Sequence, residues 1–344
     1  MPATSAQSSQ PAGLPSRTSI LVAAARAFGS RDPDDGVRNP DFLAEKLIGP
    51  SELSLISDHP LSKGLVQDYA EACKNPAIVM FAGLMIFRTR FIDEALKRAV
   101  ANGATQIVIL GAGFDSRAYR FSDLLEHCHV IEVDAAPTQE YKKLRIEAVL
   151  GKVPKNVTYV PVDFAKDSLA DALKAAGFIE GAKSFYIWEG VSMYLPEESV
   201  RKLLQMVVTH SAPGSSIVLD YANSIGIEIS KLTPNGAGGI PEAWAEPWIF
   251  GVPGANGDEF FRELEFDPGI PLSTTDTEAI KQYAVRRDGT TYAAHAIEKM
   301  RTMAQAIKQD GPTPPASAVA LKIQKALAEC GGFYWLAELT VSSN

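Results

Sequence analysis

Three carboxylates recur at matching places in this sequence, each at the end of a short β-rich run. Asp134 closes "HVIEVD", Asp163 closes "VTYVPVD" with Phe164 beside it, and Glu189 follows "SFYIW". A fourth run, "QIVIL", stops at Gly111 and Gly113 in "GAGFDSRAYRF". Glycines between a strand and a helix let the backbone bend sharply and approach a ligand closely. An acid about 20 residues beyond such a turn is placed to accept both hydroxyls of a ribose. An acceptor and a ring at the next strand tip suit the amine and face of an adenine. Taken singly, each acid is more simply a loop residue or a helix cap. Their recurrence at successive strand ends reverses that preference.

The turn also says what it does not hold. A dinucleotide fingerprint needs a third glycine, where this chain has Ser116, and Asp115 would repel a pyrophosphate at the helix start. An NAD(P)-dependent oxidoreductase is therefore the disfavoured alternative. The site asks for an adenosine that carries positive charge and no phosphate. S-adenosylmethionine, with its sulfonium and ammonium groups, has that chemistry.

The elements that must position these residues are legible in outline. Helical spacing from Thr18 to about Ala101, broken at "GSRDPDDGVRNP" and "IGPSEL", gives way at Gln106 to strands alternating with amphipathic stretches as far as "SSIVLDY". That alternation predicts an α/β fold with a doubly wound, mostly parallel sheet and ligands at the carboxyl ends of its strands. A Gly-, Pro- and Trp-rich stretch after Tyr221 reads as an insertion beside the site, with a helix around Asp258 to Glu265. Helices follow from about Thr291 to Lys308 and up to Glu329, before a closing strand in "GGFYWLAELTV". The expected division is a flexible tail over 1–17 and a single domain over 18–344. Within that domain 18–101 forms a helical cap, 102–221 the cofactor-binding core, 222–330 a lid with its helices, and 331–344 the final strand.

The 344 residues carry a net charge of −8 and no long basic run, which argues against nucleic acid and anionic membranes as partners. No apolar run reaches the ~18–20 residues of a membrane span. Cys73, Cys128 and Cys330 lie far apart without metal spacing, which fits a reducing cytoplasm and predicts no metal site. The five histidines are scattered, and "EHCHV" has the look of a metal cluster without the further ligands one needs. His295 draws some attention because it follows the aromatic-rich insertion, yet no histidine pairs convincingly as an acid or base. The sequence leaves the oligomeric state open.

The segments "FRTRFIDEAL", "IVILGAGFDSRAYRF", "VIEVDAAPTQEYK", "VPVDF", "WEGVSMYLPEESVRKLL" and "APGSSIVLDY", in that order, resemble the leucine carboxyl methyltransferase-like family of S-adenosylmethionine-dependent methyltransferases, which includes polyketide O-methyltransferase-type members. The resemblance covers about Arg26 to Tyr221 and thins to "EPWIFGVP" beyond. It implies a Rossmann-like, seven-stranded class I methyltransferase sheet. It also implies that Arg88 binds the cofactor's carboxylate, Gly111 and Gly113 make room for its methionine part, and Asp134 holds the ribose. Asp163 and Phe164 flank adenine, and Glu189 lies by the methionine moiety. Arg90 competes for the carboxylate role, and for either arginine a surface ion pair with Asp93 or Glu94 is the ordinary alternative. Arg117 and Arg120 read as common ion-paired helix residues.

Tyr194 is the one weak catalytic candidate, nearly matched by a packed core tyrosine. The preface, with Arg26 and Asp41, is expected to fold over the cofactor. Trp244, Trp248, Phe250, Tyr283 and Tyr292 line an acceptor pocket or, equally, pack the lid. The expected activity is O-methylation of a small-molecule carboxyl or hydroxyl in specialised metabolism. The alternatives are methylation of a protein's C-terminal leucine carboxylate and a cofactor-binding homologue that no longer transfers methyl.

Overall fold

Each of the five β-rich runs forms a strand: β1 Gln106–Leu110, β2 His129–Asp134, β3 Val157–Pro161, β4 Ser184–Trp188 and β5 Ser216–Ala222. The computed structural model describes residues 14–164, 166–232, 246–292, 294 and 329–342. Before β1 lie α1 Arg17–Gly29, the short helices α2 Ala44–Leu47, α3 Pro50–Leu55, α4 Ser62–Leu65 and α5 Tyr69–Ala72, and the long α6 Pro76–Ala101. Between the strands run α7 Arg117–Arg120, α8 Ala136–Leu150, α9 Leu169–Ala175 and α10 Glu197–His210. After β5 come α11 Ser224–Leu232, α12 Asp258–Glu263, β6 Phe266–Asp267, β7 Leu272–Ser273, α13 Thr277–Tyr283 and β8 Tyr334–Val341.

The sheet order is β3-β2-β1-β4-β5-β8-β6, with β7 paired to β8 off that path. The first five strands are parallel, and β8 runs antiparallel between β5 and β6. The expected α/β fold with a mostly parallel sheet is therefore present. Its seven-strand path has two-residue β6 as its last member, and β7 adds an eighth strand. The chain leaves β1 toward β2 on one side and reaches β4 on the other, so a crevice opens beyond the carboxyl end of β1.

Side chains of β1 alternate between two cores, as a period of two requires. Ile107 and Ile109 join the core under α1 and α6, whereas Val108 and Leu110 join the opposite core with Val200, Leu204 and Val207 of α10. Burial on both faces explains why these strands read as continuous apolar runs rather than alternating ones.

Helix ends follow local chemistry. Ser16 caps α1 by accepting the Ser19 N–H, and Asn75 caps α6 by accepting from Ala77 with Pro76 in the first turn. Pro50, read as an interruption, opens α3 instead. Of the expected tail, 1–13 lies outside the described residues, as do most of the helices expected between Thr291 and Glu329. The insertion also holds β6, β7 and α13, which the sequence pattern does not predict: two-residue strands carry no readable period, and seven helical residues span only about two turns.

Candidate functional site

A cavity of about 730 Å³ opens over the carboxyl ends of β1 to β4. Arg88, Gly111, Gly113, Asp134, Asp163, Phe164, Glu189 and Tyr194, all singled out from sequence, line this one space. Gly111 has φ +68°, and a Cβ there would sit 2.4 Å from Val191 Cγ2, so this turn demands glycine. The Gly113 N–H, in turn, donates to Asp134 Oδ2.

Beneath the cavity lies a continuous network of four guanidinium groups and five carboxylates. Arg88 places NH1 2.6 Å from Asp220 Oδ2 and Nε 2.9 Å from Glu189 Oε1. Arg117 bridges Glu189 at 2.7 Å, Asp93 at 2.8 Å and Asp115. Arg26 binds Asp41 at 2.8 Å and donates to the Phe114 carbonyl, while Arg120 spans Asp41 and Asp93. No side chain in this network is more than 10% exposed. Charges buried this completely are tolerated only when paired, so the network fixes its members in place.

Ser116 explains the missing third glycine. Its hydroxyl donates to Asp41 at 2.6 Å and accepts from Arg120 at 2.8 Å, tying the turn to the helical preface where a dinucleotide fold would bring a helix close. Asp115 is occupied by Arg117: it accepts the Arg117 backbone N–H at 2.7 Å and pairs with its guanidinium.

The electrostatics divide the carboxylates. Burial pushes the Glu189 carboxyl up, but Arg88, Arg117 and Arg26 outweigh it and hold the group well below the usual carboxylate range. Asp134 goes the other way. Burial raises it, and the Gly113 and Ala135 N–H groups offset that only in part. Asp163, half-buried, sits 2.6 Å from Lys166 Nζ. Burial and the Glu246 carboxylate push the Tyr194 hydroxyl far above its ordinary value, against the Trp248 indole, so it stays protonated at neutral pH. Glu246 completes the rim by accepting hydrogen bonds from Ser16 and Thr18.

The leucine carboxyl methyltransferase model matches residues 19–208, more than half of the chain and all of the strands that bear this site except β5. The chain belongs to the leucine carboxyl methyltransferase family. YktD of Bacillus subtilis strain 168, named for S-adenosyl-L-methionine-dependent methyl transfer, is 33% identical over 60% of this chain and 71% of its own length. SCO7813 of Streptomyces coelicolor, named in the same way, is 34% identical over 71% of this chain and 80% of its own. Among solved structures, magnesium protoporphyrin IX methyltransferase of Synechocystis PCC 6803 with bound S-adenosylhomocysteine aligns at a TM-score of 0.42 and 11% identity. That alignment covers 76% of this chain and 87% of the other. The protein is thus an S-adenosylmethionine-dependent methyltransferase of this family.

Several sequence expectations need correction. Arg90 is no rival for the cavity: its guanidinium donates to the carbonyls of Asp35, Gly36, Arg38 and Tyr283, locking the preface loop to α6. Asp93 pairs with Arg117 and Arg120 rather than with Arg88 or Arg90, so those two arginines are buried architecture rather than ordinary helix-surface residues. Of the aromatics expected to line a pocket or, equally, to pack the lid, Phe250, Tyr283 and Trp248 pack against other rings. Phe250 meets Phe260, Tyr283 meets Phe87 and Phe91, and Trp248 stacks on Tyr334. Tyr292 lines a separate cavity of about 530 Å³ with Cys73 and Arg286. Trp244 and His295 lie outside the described residues.

Within "EHCHV", Cys128 Sγ lies 3.6 Å from the Ala104 carbonyl, and His129 Nε2 pairs with Thr158 at 2.9 Å. Sequence reasoning missed Asp220 and Glu246. An acid inside the otherwise apolar run "SIVLDYA" is the available signal for Asp220, and for Glu246 it is its place at the head of "EPWIFGVP", the segment in which the resemblance continues beyond Tyr221.

Proposed function

We propose that this methyltransferase transfers the methyl group to an oxygen of a small molecule, a hydroxyl or carboxyl compound of specialised metabolism, in the cytoplasm. The observation that carries the reading is the convergence of all seven proposed cofactor-binding residues on one cavity. Its volume falls within the ~300–1,000 Å³ of small-molecule sites.

The charge balance supports a cationic ligand. Four guanidiniums face five carboxylates in the floor, and Asp134 and Glu246 add negative charge around the walls, where Asp163 is paired with Lys166. Glu189 Oε1 and Arg88 Nε, both buried, lack hydrogen bonds of proper geometry despite their close approach. A zwitterionic amino-acid moiety supplies an ammonium for the first and a carboxylate for the second. In this reading Arg88 holds the carboxylate, Glu189 the ammonium, Gly111 and Gly113 pass the chain of the methionine part, Asp134 takes the ribose hydroxyls, and Asp163 with Phe164 takes adenine.

The bound sulfonium supplies an electrophilic methyl group, and the protein's task is to align an acceptor oxygen behind it and exclude water. Such alignment contributes up to ~7–11 kcal/mol in well-oriented cases. Glu246 at the rim favours a hydroxyl over a carboxylate acceptor, since a second carboxylate there meets like charge. It disfavours a protein's C-terminal carboxylate on the same ground.

Two measurements test the proposal. Calorimetry against S-adenosylmethionine, S-adenosylhomocysteine and NAD is expected to show binding of the first two alone, and binding of NAD alone would end it. Transfer of labelled methyl to phenols, alcohols, small carboxylates and C-terminal leucine peptides is expected to mark small molecules. Labelling confined to the peptides would refute the acceptor assignment.

A further inference from the structure

We infer that Asp220 is a positioning residue for the cofactor, acting through Arg88, with the Tyr334 hydroxyl as its accessory. The inference rests on the reading of Arg88 as the anchor of the cofactor's carboxylate.

Asp220 lies in β5, all seven residues of which are buried, and is itself 0% exposed. An isolated carboxylate in such a strand is costly, so its oxygens must be fully employed. Oδ2 sits 2.6 Å from Arg88 NH1 and also accepts the Tyr334 hydroxyl from β8. Oδ1 accepts the N–H of Gly190, which directly follows Glu189 and has φ +69°. One side chain thereby fixes three separate elements: the middle of α6, the turn after β4, and the last strand.

The consequence falls on the guanidinium. Arg88 NH1 is committed to Asp220, with Tyr334 at 3.3 Å, whereas NH2 has the Met85 thioether at 3.2 Å as its hydrogen-bonding contact. Nε faces Glu189 without hydrogen-bond geometry. A carboxylate is gripped bidentately by two parallel N–H groups, which requires one edge of the fork to be held open in a fixed orientation. By occupying NH1, Asp220 fixes the guanidinium's orientation and leaves the Nε–NH2 edge, which faces Glu189 Oε1 and the Met85 thioether without a strong hydrogen bond of its own, as the edge a carboxylate would engage. By holding Gly190 it also sets the backbone that carries Glu189. A purely structural ion pair predicts a different outcome: loss of Asp220 would lower stability and weaken every ligand of the cavity alike.

The test compares two ligands that differ only in the carboxylate, S-adenosylmethionine and decarboxylated S-adenosylmethionine, by calorimetry on the full-length protein. Asp220→Asn is expected to weaken the first by about tenfold or more, the loss of one charge-assisted hydrogen bond, and the second by less than about twofold. Tyr334→Phe should act in the same sense but less, and should give the same answer if Asp220→Asn does not fold in a thermal melt. Equal losses for the two ligands, or none for S-adenosylmethionine, would overturn the inference.

Arg88→Lys separates this idea from the reading beneath it. If that variant binds both ligands as the wild type does, the Arg88 assignment itself is wrong. If it loses S-adenosylmethionine selectively while Asp220→Asn and Tyr334→Phe lose nothing, only the role of Asp220 fails. The combined Arg88→Lys/Asp220→Asn variant is expected to lose little more than either single variant, because both act on one contact.

Discussion

The floor and the rim of the cavity are built on different terms. The floor is a lattice of arginines and carboxylates in which Glu189 alone approaches three guanidiniums, and its members come from α1, the loop before α2, α6, α7, β5 and the turns after β1 and β4. The rim is made of Ser16, Thr18, Leu195, Pro196 and Glu246, joined chiefly by the hydrogen bonds that Glu246 accepts from Ser16 and Thr18. A floor held by several elements at once cannot vary without loss, whereas a rim of helix-end and loop residues can change its chemistry cheaply. On the proposed reading, the common reaction belongs to the first and the choice of acceptor to the second.

The comparison breaks most visibly at Glu189. Replacing it by alanine leaves buried guanidiniums facing one another, and removal of one partner from a buried pair costs about 3–5 kcal/mol. Chemical denaturation of Glu189→Ala should show a loss of that order. A loss under about 1 kcal/mol would mean that the lattice is not what holds the floor. Its pH dependence carries a definite sign. With the folded value held below the ordinary 4.5, the contribution of Glu189 is complete above that pH and is lost as pH falls through the folded value. The stability gap between wild type and Glu189→Gln should therefore be flat near neutrality and close only in acid.

Asp134 belongs to the wall between the two regions and should behave in the opposite way. Its folded value lies above the ordinary 3.8, so ionising this carboxyl costs more in the folded protein than in the unfolded chain, and the ionised form detracts from stability at neutral pH. Asp134→Asn is expected to raise the apo protein's melting temperature at pH 7, with the advantage vanishing below about pH 3.8. The same change should weaken S-adenosylmethionine by about 1–3 kcal/mol, the range for a buried hydrogen-bonding group left without its partner. A variant both less stable and equally tight in binding would remove Asp134 from the site. Stability traded for binding is a mark of a functional carboxylate.

How much of this was legible in the sequence follows the same division. The strand tips were readable because a parallel sheet buried on both faces produces unbroken apolar runs, and whatever ends such a run stands at the carboxyl edge. Asp134, Asp163 and Glu189 could thus be found from spacing alone. The partners of Arg88 could not. Asp220 lies 132 residues away, and no local pattern connects the two. Arg117 and Arg120 were undervalued for a related reason: α7 is a single turn, its carboxylate partners Asp41 and Asp93 come from the preface, and helical spacing describes only a residue's neighbours on its own helix. Glu246, Trp248 and Phe250 sit in a stretch without period, where composition leaves a binding wall and lid packing equally open, and Trp248 and Phe250 pack against other rings.

At the rim, Glu246→Gln should leave S-adenosylmethionine affinity within about 0.5 kcal/mol, as for a substitution outside a buried network. Its effect should appear in the acceptor profile, through a gain in methyl transfer to small carboxylates relative to alcohols and phenols. A drop in cofactor affinity of tenfold would instead assign Glu246 to the floor.

Tyr194 should give the smallest effect and the finest distinction. It lines the cavity beside the rim, and its hydroxyl is held protonated far above neutrality, which suits a donor or a wall and excludes a base that titrates in the working range. Tyr194→Phe should therefore cost less than about 1.5 kcal/mol in transition-state stabilisation, the value of one neutral hydrogen bond. The pH profile of kcat/KM between pH 6 and 9 should keep its shape, because the phenol removed does not ionise there. Loss of an ionisation from that profile would make Tyr194 the proton acceptor for a hydroxyl substrate. An unchanged profile with an unchanged rate would make it part of the packing that joins Trp248 and Tyr334, leaving the rim to discriminate acceptors by shape and by the charge of Glu246.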